Sequence, residues 1–337
     1  MAVEITATGS YVPERIVTND DLAKIVDTSD EWIRSHTGIG ARHIARDEQA
    51  TSDLAYESAI NVLRTVDPEN PGNAAADIDL IVVSTASPDY PGFPSVACIV
   101  QDRIGAKNAA AMDLTAGCTG FIYALDTAGC MLACGGRKKA LVIGADTLSR
   151  ITDWTDRNTC VLFGDGAGAV MLESTDAPSS GPCKRGIIRS ILGADGSGSE
   201  YLMLRRGGTR EPFRKGEIIG TPAHIEMDGQ AVYLFAVNTV VNTIQRLLEA
   251  ENLRMDQIKR IIPHQANERI ISAAAKRLGI GMDKFFLNIE KYANTSTASV
   301  PLALDELARE GSLKKGDIIM TIGFGAGLTY GGNLIVW

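Results

Sequence analysis

Metal-ligating and membrane-spanning signals are what this sequence most clearly lacks. Its 337 residues include six cysteines and four histidines. No two cysteines form a Cys-x-x-Cys pair, so zinc and iron–sulfur ligation lack their usual spacing and no metal site is expected. No apolar run approaches the roughly eighteen residues of a membrane span. The opening stretch MAVEITATGSYVPERIV has no basic segment leading into an apolar block, as a secretory signal would. The expected setting is the cytoplasm, with no membrane partner. Positive charge is short as well. A net charge of −8 counts against nucleic-acid binding, and an acidic partner would have to meet a local basic patch. The glycine-rich stretches FGDGAGAVML (163–172) and GFGAGLTYGGNLIVW (323–337) fit neither a P-loop nor a dinucleotide fingerprint. Each leads into an apolar run, so they read as tight turns between strands, and nucleotide cradling is rejected.

What is present is the make-up of an ordinary globular protein, with 45% hydrophobic and 22% charged residues. A chain this long buries enough core to need no disulfide. Cys130 and Cys134, one helical turn apart in DTAGCMLACGG, read as small core residues on one helix face.

Strand-like runs alternate with helical segments. They include IDLIVVSTAS (78–87), AAAMDLTAG (109–117) and KALVIGAD (139–146), then IKRIIPHQAN (258–267), KFFLNIEKYAN (284–294) and GDIIMTIGFG (316–325). The alternation indicates α/β architecture around a mostly parallel sheet. A constant shift of 179 residues superposes the two sets. It puts Val83 on Ile262, the ALD at 124–126 on the ALD at 303–305, and the IG at 143–144 on the IG at 322–323, as an internal duplication would. The expected halves are 1–175 and 176–337, joined by the linker-like ESTDAPSSGPCK (173–184). Two facing halves bring the carboxyl ends of equivalent strands together, where open sheets build their sites. Cys118, His264, Asn294 and GFGAG (323–327) all lie just past such ends.

Cys118, in TAGCTGF, sits where a strand turns into a helix. The unsatisfied N–H groups and dipole of a helix start favour thiolate over thiol, and the flanking glycines permit a sharp turn. His264 follows an apolar strand directly, and Asn294 precedes a helix that it could simply cap. Cysteine, histidine and asparagine together can perform acyl transfer. No carboxylate stands beside His264 in the sequence, so a hydrolase relay is not indicated. GFGAG could offer a backbone N–H to an oxyanion.

The motifs DTSDEWIRSHTGI (27–39), GCTGFIYAL (117–125), DRNTCVLFGDGAGAVML (156–172), PHQAN (263–267), NTSTASVPLAL (294–304) and FGAGLTYGG (324–332) run nearly end to end. By this ordered series the chain resembles the β-ketoacyl-acyl-carrier-protein synthase III family of the thiolase superfamily. The resemblance implies a duplicated, five-layered αβαβα fold with two pseudo-symmetric halves. It implies decarboxylative condensation of a short acyl-CoA with malonyl-acyl carrier protein, starting fatty-acid synthesis. Cys118 would be the acylated nucleophile, and His264 and Asn294 would hold the malonyl thioester carbonyl. The N–H groups of Cys118 and Ala326 would hold the oxyanion. Coenzyme A would be bound by Thr28, Trp32, Arg157 and Gln230, and the acyl group by Phe93, Leu148 and Phe163. The position of Phe93 is one that, in family dimers, reaches the partner's acyl pocket, which implies a homodimer. Arg269, Lys276 and Arg277 would dock the carrier protein, and no bound cofactor is needed.

The chain departs from the family pattern at several positions. His36 and Gly40 stand where relatives carry basic residues for CoA, and Gln230 stands in place of a common Asn. Ala293 replaces the usual Gly before Asn294, and Leu234 falls where some relatives have a lysine. Two further readings are a related condensing enzyme of polyketide or specialised metabolism, and a non-catalytic partner subunit of the same fold. A thiolase acting without decarboxylation would need a second cysteine near the C-terminus, and the last here is Cys183.

Overall fold

The computed structural model describes residues 2–176, 184–214, 216 and 223–337. It is built on two sheets. In the first, strands Ala2–Tyr11, Asp165–Thr175, Lys139–Thr147, Leu80–Ser84 and Ala110–Leu114 lie side by side in that order. In the second the order is Gly186–Ala194, Thr329–Val336, Ile318–Gly325 and Ile258–Pro263. The pairing pattern repeats too. The first two contacts in each sheet are antiparallel and the next is parallel. The first sheet then adds one more parallel strand. In the second sheet only a single parallel bridge, Phe285 to Ile261, stands in its place.

Five layers result. Helices Gly120–Ala133 and Ser299–Arg309 lie between the sheets, and their residues Phe121, Leu125, Val300 and Leu304 share one buried cluster with Val82 and Val142 of the first sheet and Ile319 and Ile335 of the second. Helices Thr51–Val66 and Val96–Ile104 cover the outer face of the first sheet through Leu54, Val62 and Val100. Helices Gly229–Ala250 and Glu268–Leu278 cover that of the second through Val240, Ile244 and Ile271. With both faces covered, the central strands need continuous apolar runs, and LIVVS of Leu80–Ser84 is buried throughout.

Four sequence expectations are corrected. KFFLNIEKYAN is not a strand. Apart from the Phe285 bridge it forms a 3-10 turn and the helix Ile289–Tyr292. FGDGAG is not a turn but the start of the strand Asp165–Thr175. Its glycines clear the way for the helix above: a Cβ on Gly168 would lie 2.6 Å from Leu302 N and 2.7 Å from Pro301 C. Gly144 does the same on the neighbouring strand, where a Cβ would be 2.6 Å from Thr297 O. Cys130 and Cys134 are exposed, because Ile122, Leu125 and Leu132 turn the opposite face of their helix inward. The linker expected at 173–184 begins inside the strand Asp165–Thr175, and 177–183, including Cys183, lie outside the described residues. Among the described residues no helix is long and apolar enough to cross a membrane, and no cluster of histidine, cysteine, aspartate and glutamate could hold a metal ion.

Candidate active site

Cys118 follows the strand Ala110–Leu114 on a 3-10 turn, Gly117–Thr119, that runs straight into the helix Gly120–Ala133. Gly117 has φ 51, a left-handed conformation suited to glycine. The turn after the strand Ile318–Gly325 of the other half packs against it. A Cβ on Gly325 would lie 2.7 Å from Cys118 Cβ and 3.2 Å from its Sγ. The backbone N–H groups of Ala326 and of Cys118 itself both face the sulfur. These are the two donors expected to form the oxyanion hole.

His264 leaves the strand Ile258–Pro263 with its N–H bonded to Ile322 O at 2.7 Å. The side chain is buried and packs edge-on against Phe324, with centroids 5.2 Å apart. Its Nδ1 lies 2.7 Å from Ser299 Oγ. That oxygen already accepts the Gln265 N–H, so its own hydrogen is free to donate to Nδ1. The tautomer this favours carries its proton on Nε2. Burial without a charged partner pushes His264 down to about 3, so the ring is neutral at physiological pH. The linkage has a definite sign. Between the ordinary value of 6.5 and about 3, the unfolded chain takes up a proton that the folded chain refuses, so stability falls as pH drops through that window. In His264→Asn the fall is expected to be shallower by about 1.4 kcal/mol per pH unit, measured by denaturant titration at several pH values.

Asn294 is fixed by the other half of the molecule. Its N–H donates to Leu162 O and its C=O accepts from Gly164 N–H, both at 3.0 Å. Its side-chain Oδ1 accepts the Ser296 N–H at 2.9 Å, which leaves the amide NH2 to donate. Ala293, just before it, takes φ 58, a left-handed conformation that glycine would adopt more readily.

Cys118, His264 and Asn294 line one cavity of about 240 Å³, with Phe163, Phe324 and Gly325 around them and Trp32, His36 and Asn267 toward one end. It holds two side-chain N–H donors, a thiol and a pair of backbone N–H groups. Such a set can accept an acyl group on sulfur and stabilise negative charge on carbonyl oxygens. The ionisation of Cys118 runs against the helix-start expectation. Loss of hydration pushes the thiol up to about 11, and the Asp146 carboxylate adds to this. The Ser296 hydroxyl, 3.4 Å from the sulfur, and the two backbone N–H groups pull the other way but do not prevail. The resting group is a thiol.

At that end of the cavity the Arg157 guanidinium lies 4.2 Å from the Trp32 ring centroid, and His36 stacks on Trp32 at 4.3 Å. Thr28 Oγ1 and Arg157 Nε are buried without partners, donors left over for a ligand. Trp32 and Arg157 touch, so a purine can enter between them only after Arg157 swings aside. Trp32→Ala is expected to raise the KM for acyl-CoA about tenfold with little change in kcat, checked by steady-state kinetics. Gly40 is where the Arg34 guanidinium rests: a Cβ there would be 2.7 Å from Arg34 Nη2. Gln230 is exposed in the first turn of its helix and does not line the cavity, although Gly229 and Tyr233 do.

Phe163 lines the cavity; Leu148 is buried elsewhere, and Phe93 is 87% exposed on the surface. Arg269, Lys276 and Arg277 lie exposed along the helix Glu268–Leu278, whose Ile270 lines the cavity. The Arg269 side chain holds Ser35 O at 2.9 Å. Sequence reasoning missed Ser296, Ser299 and Asp146. The signal available was a run of hydroxyls in NTSTAS and a lone acid at a strand end, neither of which points to a cysteine more than 25 residues away.

Comparison with known proteins finds relatives along the whole chain. Residues 112–196 match the family described as 3-oxoacyl-[acyl-carrier-protein (ACP)] synthase III, and 248–337 match its C-terminal domain. The chain is 49% identical over 338 residues to a β-ketoacyl-[acyl-carrier-protein] synthase III of Clostridium acetobutylicum, covering 100% of this chain and 99% of that one. The solved 3-oxoacyl-[acyl-carrier-protein] synthase III of Aquifex aeolicus superposes with a TM-score of 0.88 at 40% identity, covering both chains fully. The solved priming β-ketosynthase of the R1128 polyketide pathway superposes at 0.89 with 34% identity, covering 99% of this chain and 96% of that one.

Proposed function

The chain belongs to the 3-oxoacyl-[acyl-carrier-protein] synthase III family, and on that premise we propose that it joins a short acyl group from acyl-CoA to malonyl-acyl carrier protein, with loss of CO2, as the opening condensation of fatty-acid synthesis. The observation that carries this is the meeting of Cys118, His264, Asn294 and two backbone N–H groups on one cavity. Cys118 and His264 follow strands of the two halves, and Asn294 follows the short helix Ile289–Tyr292.

The Cys118 sulfur attacks the acyl-CoA carbonyl, whose oxygen becomes anionic and is held by the N–H groups of Cys118 and Ala326. The CoA sulfur leaves, taking the proton that Cys118 gave up. The malonyl thioester then places its carbonyl oxygen between His264 Nε2–H and the Asn294 amide. As CO2 departs, these two neutral donors hold the enolate without protonating it. A protonated imidazole would quench the carbanion, so the low value of His264 suits the task. The enolate carbon attacks the acyl-cysteine carbonyl, the Cys118 thiolate is released with the 3-ketoacyl product, and a proton taken up from water restores the thiol. Decarboxylation supplies the driving force, so no bound cofactor or metal is required.

CoA enters past Trp32, Arg157 and Thr28, and the acyl group occupies the Phe163 end with a partner's Phe93. Arg269, Lys276 and Arg277 meet an acidic carrier protein, a local cationic face on an acidic chain. The enzyme acts in the cytoplasm as a homodimer whose halves divide near residue 175, without nucleic acid or membrane. Incubation with acetyl-CoA and malonyl-acyl carrier protein tests the reading. It requires CO2 release and a 3-ketoacyl carrier protein, and decarboxylation without that product would overturn it. A second reading, priming of a polyketide pathway, is favoured by the likeness to the R1128 priming ketosynthase. Preference for a specialised carrier protein over the fatty-acid one would decide for it.

A further inference from the structure

The nucleophile has a polar neighbour that the steps above leave unused. Ser296 is a non-glycine residue held at φ 52. It is pinned from both sides: its N–H donates to Asn294 Oδ1 at 2.9 Å, and the following amide, Thr297 N–H, donates to Asp146 Oδ2 at 3.3 Å. Its hydroxyl reaches the Cys118 sulfur at 3.4 Å and also faces the Asp146 carboxylate.

Asp146, at the end of the strand Lys139–Thr147, is fully buried. Its Oδ1 accepts from Thr85 Oγ1, Ala86 N–H, Ser87 N–H and Ser87 Oγ within 3.0 Å. Thr85 Oγ1 itself accepts the Ser87 N–H, and Ser87 Oγ accepts the Thr147 N–H. Each hydroxyl hydrogen is therefore given to Asp146. A carboxyl surrounded by donors alone is an ionised acceptor. Burial raises Asp146 above the usual carboxylate range, and it is the ring of donors, which leaves no acceptor for a carboxyl proton, that holds it ionised against that. Asp146 is thus a buried negative charge beside the nucleophile. Of the cavity's other titratable side chains, His264 beside the nucleophile is neutral, and His36 and Tyr233 also line the cavity.

A serine hydroxyl has one hydrogen to give. With Cys118 as a thiol, S–H points to Ser296 Oγ and the serine hydrogen goes to Asp146. With a thiolate, the serine hydrogen turns to the sulfur. We propose that Ser296 and Asp146 are a positioning pair that governs the ionisation of Cys118, the hydroxyl switching from carboxylate to sulfur as the thiol proton leaves, and the carboxylate keeping the resting group protonated. Ser296 keeps its own proton throughout, and the proton lost by Cys118 ends on the departing CoA sulfur. A resting thiol is spared adventitious oxidation and alkylation, while the anion is stabilised at the moment of attack.

This rests on Cys118 being the nucleophile, and its test is separate. The full chain is alkylated with iodoacetamide across a pH series, and the rate at the Cys118 peptide is read by mass spectrometry. Ser296→Gly suits the left-handed backbone and removes the hydroxymethyl side chain. Its midpoint is expected about one pH unit above wild type, with a roughly tenfold slower rate below the midpoint. Asp146→Asn, which keeps the shape and removes the charge, is expected to shift the midpoint downward. Opposite signs from two contacting residues are not what a shared structural lesion produces. Ser87→Ala, which touches Asp146 but not the sulfur, is expected to titrate with wild type. A wild-type midpoint in Ser296→Gly overturns the proposal, as does an upward shift in Asp146→Asn. Failure of acyl-CoA to modify Cys118 at all overturns the functional reading instead.

Discussion

His264→Ala is expected to lower the condensation rate by about 10²- to 10³-fold while Cys118 is still acylated by acyl-CoA at close to the wild-type rate. The asymmetry follows from the geometry. In the proposed mechanism the oxyanion of the acylation step is held by the backbone N–H groups of Cys118 and Ala326, which face the sulfur, and removing an imidazole leaves them in place. The malonyl carbonyl has only the two side-chain donors, and Asn294 alone cannot hold the enolate as well. Because the ring is buried against Phe324 and tied to Ser299, the alanine variant also leaves a hole. His264→Gln, which restores a donor and most of the volume, is therefore expected to recover part of the rate. Single-turnover acylation by quench-flow and CO2 release from malonyl-acyl carrier protein separate the two steps. Equal loss of both would contradict the assigned division of labour.

The second large effect is structural. Gly168→Val is expected to lower stability by about 3 kcal/mol or more, read as a drop in the denaturant midpoint with unchanged slope. The atoms that a Cβ would strike are backbone, Leu302 N at 2.6 Å and Pro301 C at 2.7 Å, and cannot swing away as a side-chain tip would. The helix Ser299–Arg309 would have to lift, carrying Ser299 from His264 and pulling on the adjoining Asn294–Ala298 loop. Residual activity should therefore fall further than stability alone explains. Gly196→Ala, where a Cβ meets nothing within 4 Å, is the control and is expected to be near neutral.

Much of the fold was legible because buried parallel strands leave continuous apolar runs, and the 179-residue shift landed on equivalent strands and helices of the two halves. The misreadings have physical reasons. Glycine carries no side chain, so 163–168 shows no strand periodicity, and its strand is dictated by a helix packed directly above it. KFFLN reads as a strand because Phe285, Phe286 and Leu287 are apolar, but its partner edge offers only one bridge. The i, i+4 spacing of Cys130 and Cys134 fixes that they share a face, not which face. At the site, the strand-end rule found Cys118 and His264, while Asn294 reaches the same cavity from behind the short helix Ile289–Tyr292. The ionisation of Cys118 could not be read locally: helix-start logic sees the nearby N–H groups, and only the folded chain reveals the lost water and the buried Asp146. Ser296 and Ser299 act through contacts across the cavity, and nothing in their own neighbourhood marks them.

The central claim is that Cys118 is the acyl-accepting nucleophile, and intact-mass analysis after incubation with acetyl-CoA tests it most directly. Cys98, Cys130 and Cys134 are more exposed than Cys118, so mere accessibility would label them first. The account predicts one added acetyl group per wild-type chain, mapped to the Cys118 peptide, and none on Cys118→Ala. An unmodified wild-type chain, or an acetyl group on an exposed cysteine that persists in Cys118→Ala, would contradict it.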